Sequence, residues 1–351
     1  MVTMKEIARL AGISQQAVSA ALNRNSSSKV SARTRERVLT IAEQLNYVGN
    51  FSAGQLRGKS IRAIGIVLSR FPHQNYFPML TAAICRLEEA NYQCYVVRQE
   101  DGGETRSSIR VLIARGVDGL LLLDCFCNED IGSHRIPVLR VGSIAESPDL
   151  NIDKFLGGKM AAEHLIHQHG HRKIAFLNTC VNRSSDEKIA GIRCALKENG
   201  CGEEAFVEIV AEDNNALAAE LLAAVTRKEF HAFICPNDYL AGGLIRFLMQ
   251  NGIRVPEEVA VIGFDGSRFD LCMAPSLTTV VQPFEELGRR AAERLLTQLK
   301  NPEAGAGKSC EMLQPRLWIG ESCGCPCPVY PQELLFGKRE CLTLERLDGM
   351  N

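Results

Sequence analysis

Residues 3–22 read TMKEIARLAGISQQAVSAAL, and this stretch decides what the first domain is. Thr3 stands three residues before Glu6, the spacing of a capping box, in which hydroxyl and carboxylate each satisfy an orphan amide. Ile7, Ala8 and Ala11 follow at helical spacing and predict one apolar face. Gly12 ends that helix. Ser14 is placed to cap a second, from Gln15 to about Asn23, with Ala17, Val18 and Ala21 turned inward. After the polar stretch Asn23 to Ser28, Ser31 is placed to cap a third helix, about Ala32 to Leu45, with Val38, Ile41, Ala42 and Leu45 inward. Two short helices joined by a glycine-containing turn are the signature of a helix-turn-helix.

Charge singles out the same segment. Residues 1–60 carry nine Lys and Arg against three Asp and Glu, whereas the remainder carries 31 against 38, so a net charge of -1 hides a basic head on an acidic body. That asymmetry predicts a polyanion partner for the head. In a helix-turn-helix the second helix enters the major groove of double-stranded DNA with its first exposed residues at base edges. Here those are Gln15 and Gln16, whose amides both donate and accept and so match adenine N6 and N7. Ser14, Ser19, Asn23, Arg33, Thr34 and Arg35 suit phosphates, and Thr3 joins the DNA-facing set at the start of the first helix.

Outward from the head, residues 49–60 are polar and glycine-bearing and predict a linker poorly folded by itself. Leu56 there has no evident core, and minor-groove binders use such side chains as wedges. Gly58-Lys59-Ser60 imitates a phosphate loop, but Gly54 is one residue too near and the segment precedes a strand rather than following one. Beyond it, buried parallel strands are predicted at Ile61–Leu68, Gln93–Val97, Gly119–Leu123, Pro137–Val141, Lys173–Leu177, Phe206–Val210, Ala232–Cys235 and Val259–Phe264. Helical patterns fall between them, as at Met79–Ala90, Ser107–Arg115, Leu156–His167, Lys188–Asn199, Ala216–Arg227 and Tyr239–Asn251. Alternation over some 260 residues predicts two doubly wound parallel-sheet subdomains with a cleft at the carboxyl ends of their strands. Polar residues just past strands are therefore cleft candidates: Ser69 to Tyr76, Asn237-Asp238 and Asp265. Helix capping is the competing reading for each.

The head, with Glu6-Ile7-Ala8, Ala11-Gly12-Ile13-Ser14, Ala17-Val18-Ser19, Val30-Ser31, Thr34-Arg35 and Leu45-Asn46-Tyr47, resembles the lactose-repressor (LacI/GalR) family of bacterial transcription regulators. The likeness runs on in family order through Ala53 and Leu56, Ala162-Glu163-His164-Leu165, Gly170 to Phe176, Pro236-Asn237-Asp238, Val255-Pro256, Ile262 to Asp265 and Leu277 to Val280. It implies a helix-turn-helix headpiece at 1–48, a hinge helix at 49–60 and a periplasmic-binding-protein-like core at 61–328. The segment 329–351 lies past it. It also implies a homodimer or tetramer on operator DNA, Ala53 and Leu56 in the minor groove, and a small effector whose binding alters the angle between subdomains. With no heptad array after the core, the dimer is the default. Effector contacts implied are Tyr76 and Phe77 by stacking, with Lys188, Asn237, Asp238 and Asp265. A sugar or sugar derivative is the first expectation and a purine or other small metabolite the second.

Four positions depart from the family pattern. Ala20 replaces an arginine common at the end of the recognition helix, which shifts base reading onto Gln15 and Gln16. Gly54 weakens the hinge helix by about 1 kcal/mol against alanine. Lys188 replaces an arginine clamp and offers a point charge, not a fork. Gly266 stands where a second Asp is frequent.

Composition excludes much else. Hydrophobic residues at 46% and charged residues at 23% argue against a disordered chain. Neither a spanning segment nor a signal peptide is visible, so a cytoplasmic protein without a membrane partner is expected, its 14 cysteines reduced and mostly buried. No dinucleotide fingerprint follows a first strand and no nucleophile–base set appears, so no catalytic residue and no cofactor is assigned. His164, His167, His169 and His171 straddle a helix end, where the dipole and bare carbonyls favour histidine. Cys323, Cys325 and Cys327 are spaced more tightly than zinc ligands prefer, and no spacing identifies a fourth ligand, Cys341 being one example. Each cluster by itself is read as structural, with no metal.

Overall fold

The computed structural model describes residues 2–22, 30–45, 47, 61–69, 76–99, 105–125, 136–142, 147–178, 183–210, 214–226, 229–267, 273–301 and 309–326. Asn23, Ala53, Leu56, Cys327 and the segments expected as hinge and extension lie outside them. The chain divides into two units, Met1–Ile61 and Arg62–Asn351.

The first unit holds three helices, α1 (Met4–Ala11), α2 (Gln15–Leu22) and α3 (Ala32–Gln44). Their apolar faces meet in a small core of Ile7, Ala8, Ala11, Val18, Ala21, Val38 and Ala42, flanked by half-buried Ile13, Ile41, Leu45 and Tyr47. Gly12 closes α1 in the left-handed region, at φ 62°, and its amide bonds back to the carbonyls of Ala8 and Arg9. Only glycine takes that backbone at little cost, so the turn between α1 and α2 is written into one residue.

The second unit contains two lobes, each a six-stranded sheet. Lobe 1 contains β1 (Ala63–Leu68), α4 (Tyr76–Glu89), β2 (Gln93–Arg98), α5 (Thr105–Ala114), β3 (Gly119–Leu123), β4 (Val138–Val141) and β5 (Leu150–Ile152). Lobe 2 contains α6 (Lys154–His169), β6 (Ile174–Leu177), α7 (Arg183–Glu198), β7 (Phe206–Ile209), α8 (Asn214–Thr226), β8 (Ala232–Ile234), α9 (Asp238–Gln250), β9 (Ala260–Asp265) and β10 (Thr278–Val281). The chain then returns: α10 (Phe284–Lys300) and β11 (Glu311–Leu313) belong to lobe 1, and β12 (Arg316–Trp318) to lobe 2. Strand orders are β11-β5-β4-β3-β1-β2 and β12-β10-β9-β8-β6-β7. All recorded pairings are parallel except β12 with β10, an antiparallel edge strand that the strand–helix alternation does not announce.

Burial explains why these runs are strands. β3 is buried at every position, as is β9, so both read as unbroken apolar stretches covered on two faces. Each lobe also has one close helix pair. Gly288 of α10 lies against the Met79 carbonyl of α4, while Gly158 of α6 and Gly191 of α7 lie against the backbones of Lys188 and Phe155. A Cβ at any of them would overlap a carbonyl oxygen. Among the nine described cysteines none is disulfide-bonded; Cys125, Cys235 and Cys323 are buried, Cys85 is exposed and the other five are half-buried. Among the described residues, then, buried thiols are the minority, because several cysteines sit on helix flanks and strand edges. Among the described residues no helix is long and apolar enough to cross a membrane.

Two glycines test this packing in opposite directions. Gly191→Ala is expected to lower stability by about 2–3 kcal/mol, since a backbone has to move. Gly243→Ala, in α9 with open space around the would-be methyl, is expected to raise it by about 0.5–1 kcal/mol. Urea denaturation of the two variants decides the matter; equal shifts would contradict the close-contact assignment.

Candidate functional site

In the head, the three predicted caps form. Thr3 Oγ1 accepts from the Glu6 amide at 3.4 Å, Ser14 Oγ from Ala17 at 3.2 Å and Ser31 Oγ from Thr34 at 3.2 Å. The Thr3 and Ser14 oxygens are spent on their helices, which leaves the hydroxyl protons to offer outward. Gln15, Gln16 and Ser19 are exposed on α2, as are Thr3, Ser14 and Arg33 elsewhere. Thr34 is half-buried and its hydroxyl lies 2.8 Å from Ser31 Oγ, so it serves the third helix's start as well as any phosphate.

In the core, parallel strands deliver polar residues to the ends expected of them, and the residues then take up distinct tasks. Tyr76 opens α4, and its hydroxyl donates to Asp124, the residue after β3. Its ring meets Phe284 edge-on with centroids 5.5 Å apart. Burial, then the Asp124 carboxylate, push the Tyr76 hydroxyl well above its usual range, and the charge of Asp265 adds to this. Tyr76, expected to stack on the effector, packs its ring against the lobe 1 core and ties its hydroxyl to a carboxylate. Phe77, the next residue, is 70% exposed and lines a groove of about 930 Å³ with Asp265, Gly266, Ser267 and Gln282.

On lobe 2, Asp238 is 0% exposed. One oxygen accepts from the Gly266 and Ser267 amides at 2.7 and 2.8 Å, and the other from the Thr279 hydroxyl. Expected on the effector, it braces the loop after β9 with three of its acceptor sites, which leaves Oδ1 one more. Asn237 caps α9, its Oδ1 accepting from Leu240 at 2.8 Å; here too the capping alternative describes the side-chain oxygen. Asp265 ends β9 with φ 117°, a conformation few non-glycine residues adopt, and accepts from Gln282 Nε2 at 2.6 Å. Such strain is held only where surroundings over-determine it, often at a ligand site. The buried Gln282 Oε1 has no hydrogen-bond partner, so it offers an acceptor.

Lys188, on α7, is buried. Its ammonium donates to the Pro236 carbonyl at 2.6 Å and stands 4.4 Å from the centre of the Phe264 ring. Burial lowers its pKa to about 8, with Lys154 pushing the same way and Asp265 and Asp238 opposing. Below about 8 the group is charged and its desolvation weighs against the fold; that cost fades as pH rises towards the ordinary lysine value, because the unfolded chain keeps the proton longer.

Asp124, Gln282 and Lys154 were not singled out from sequence. Asp124 follows Leu123 as Asp265 follows Phe264, so the after-strand rule would have found it. Gln282 follows β10, a strand of four residues that the apolar pattern did not mark. Lys154 carries no such signal; burial beside Asn151, 3.1 Å away, makes it notable.

A helix-turn-helix head joined to a two-lobed α/β core with polar residues converging between lobes defines a class, the DNA-binding regulators with a ligand cleft. Comparison agrees. Residues 3–50 match bacterial regulatory proteins of the lacI family, and residues 162–323 match the periplasmic binding protein-like domain. The HTH-type transcriptional repressor PurR of Vibrio campbellii is 31% identical over 318 residues, covering 86% of this chain and 93% of its own. The ribose operon repressor of Haemophilus influenzae is 30% identical over 315 residues, with the same coverage. A lac repressor dimer solved with operator and the anti-inducer ONPF superposes with a TM-score of 0.79 at 26% identity, over 92% of this chain and 99% of that one. The chain belongs to the lacI family of bacterial regulatory proteins.

If Lys188 contacts the effector as an ammonium, effector affinity should be highest below about pH 8 and fall above it. Lys188→Met should then abolish the pH dependence while lowering affinity. Calorimetric titration across that range checks it; a flat profile in the unsubstituted protein removes Lys188 from the contact.

Proposed function

We propose that this chain is a sequence-specific transcriptional repressor, acting as a homodimer, whose operator affinity is set by a small polyhydroxylated effector between the lobes of its core. The observation that carries the reading is the convergence of Tyr76 with Asp124 from lobe 1 and Asp265 with Gln282 from lobe 2. Two carboxylates and an amide form an acceptor-rich set, which suits a sugar or sugar derivative, whose hydroxyls donate. The Haemophilus relative's name, a ribose operon repressor, supports the same class. A purine is the second reading. What favours it is Phe77, an exposed ring at the groove, beside the unpartnered Gln282 carbonyl, which could accept a ring N–H.

On the DNA side, Gln15 and Gln16 read bases while Thr3, Ser14, Ser19, Asn23, Arg33 and Thr34 hold phosphates. Ala53 and Leu56 enter the minor groove. The head has the exposure this requires at every one of these positions that is described except Thr34. No enzymatic role is proposed for the cleft: its carboxylates are tied to Tyr76 and Gln282 rather than set against a nucleophile.

Selection from a random duplex pool with the full chain, followed by salt titration on the winner, tests the whole. An enriched palindrome is expected. Gln15→Ala or Gln16→Ala should then cost about 1–3 kcal/mol on that site and relax it there, whereas Arg33→Ala should weaken all sequences alike. Equal losses on selected and random DNA for the glutamine variants would sink their role in base reading. Leu56→Ala should remove most affinity for the selected site, and unchanged affinity would end the wedge assignment.

A further inference from the structure

The two clusters that look unrelated along the chain are one cluster in the fold. His164 and His169 lie on the last turns of α6, and Cys323 and Cys325 lie in the turn after β12. One nitrogen or sulfur from each comes within 4.8 Å of all the others. His164 Nε2 is 3.3 Å from Cys323 Sγ and 3.6 Å from Cys325 Sγ, and His169 Nε2 is 3.4 Å from Cys325 Sγ. Bonds of about 2.3 Å to sulfur and about 2.0–2.1 Å to nitrogen, set at tetrahedral angles, put nitrogen and sulfur about 3.5 Å apart. The three recorded separations bracket that value.

The surroundings are shaped to the cluster. Gly324, between the two cysteines, sits at φ 102°, and a Cβ there would approach His169 Nδ1 to 3.2 Å. This glycine lets a Cys-x-Cys turn both sulfurs towards the same pair of rings, which answers the objection from spacing. The Thr278 hydroxyl lies 3.0 Å from Cys323 Sγ, where a donor to a ligating thiolate belongs.

We propose that His164, His169, Cys323 and Cys325 form a structural Cys2His2 site for a thiophilic divalent cation, zinc foremost. Four protein ligands close a tetrahedron and leave no position for substrate, so the ion's role is to tether the turn after β12 to the end of α6. Two sulfurs and two imidazoles suit zinc and exclude hard cations such as calcium and magnesium. The proposal stands apart from the operator and effector readings and uses none of their residues.

The test is metal content of the full chain, purified reduced and without chelator from zinc-supplied culture. About one zinc per chain is expected. Reconstitution of stripped protein with cobalt should give the intense visible bands of a tetrahedral ion with thiolate charge transfer. Stripping should lower the melting temperature of the core by roughly 5–10 °C, recovered on zinc addition. Cys323 is buried among core residues and its loss could unfold the lobe, so Cys325→Ser and His169→Gln, at half-buried positions, are the informative variants. Each should lose zinc while keeping its far-ultraviolet circular dichroism, and Cys194→Ser should keep both. Failure of reduced, stripped protein to take zinc from a micromolar-affinity dye would overturn the site, as would full zinc retention in both variants or an octahedral cobalt spectrum.

Discussion

A parallel strand cannot turn back on its neighbour; it has to return by a crossover, and so every strand of such a sheet ends at the same edge. The core obeys this constraint twice, with one antiparallel exception at the rim of lobe 2. Its consequence is chemical. Residues far apart in the chain, Asp124 after β3, Asn237 after β8, Asp265 at the end of β9 and Gln282 after β10, are delivered to strand ends without any local signal linking them. The returning α10 strengthens the arrangement. Because α10 packs on α4 through Gly288, the chain passes between lobes after β5, after β10 and after β11, and the lobes move, if they move, about these crossings. Three crossings restrict relative motion to a hinge or twist, which is what a ligand in the cleft would need to bias.

Within that frame the decisive local interaction is the buried Asp238 carboxylate. A buried charge is tolerable only when its lone pairs are met, and here two amides and a hydroxyl meet them. The loop after β9 is thereby pinned, and with it the strained backbone of Asp265 and that residue's bond to Gln282. Lys188 is the counterweight. It supplies positive charge close to both aspartates, but inside apolar surroundings that lower its hold on the proton. A cleft built this way keeps fixed acceptors on one side and a cation whose charge depends on its neighbours, so what binds there changes the electrostatics it meets.

How much of this was legible in the sequence depended on range. The head was legible almost residue by residue: Thr3, Gly12, Ser14 and Ser31 act on backbone groups a few positions away, and the apolar faces of α1 to α3 repeat at helical spacing. The long strands β1, β3 and β9 were legible because continuous apolar runs mark burial on both faces. The strands β5, β10, β11 and β12 were not, since Leu-Asn-Ile, Thr-Thr-Val-Val, Glu-Met-Leu and Arg-Leu-Trp were not marked as apolar runs of the kind that placed the equally short β4, β6, β7 and β8. The return of α10 and β11 to lobe 1 was invisible for a different reason, because nothing local records which core an apolar face will meet. The same limit governed individual roles. Asn237 and Asp238 stand side by side after one strand, yet one caps a helix and the other braces a loop from β9 and a strand hydroxyl. Only tertiary partners separate them.

The His164–Cys325 cluster carries this to its end. Its members are some 160 positions apart, and α6, beginning beside the cleft at Lys154, rises about 15 Å to His164 and about 22 Å to His169. A second connection is shorter. Thr278, which touches Cys323, opens β10, and Gln282, which holds Asp265, follows the strand's last residue. Four residues of strand, about 13 Å, therefore separate the cluster from the cleft. Thr278 Oγ1 also accepts from the Gly320 amide, and the Thr278 amide donates to Ser322 Oγ, so whatever fixes residues 320–325 fixes the register of β10. A tether at that end of the strand stabilises the position of the cleft's amide at the other, and it does so without touching the ligand. The turn after β12 is in this sense part of the scaffold of the cleft, although it stands on the far end of the element that bears it.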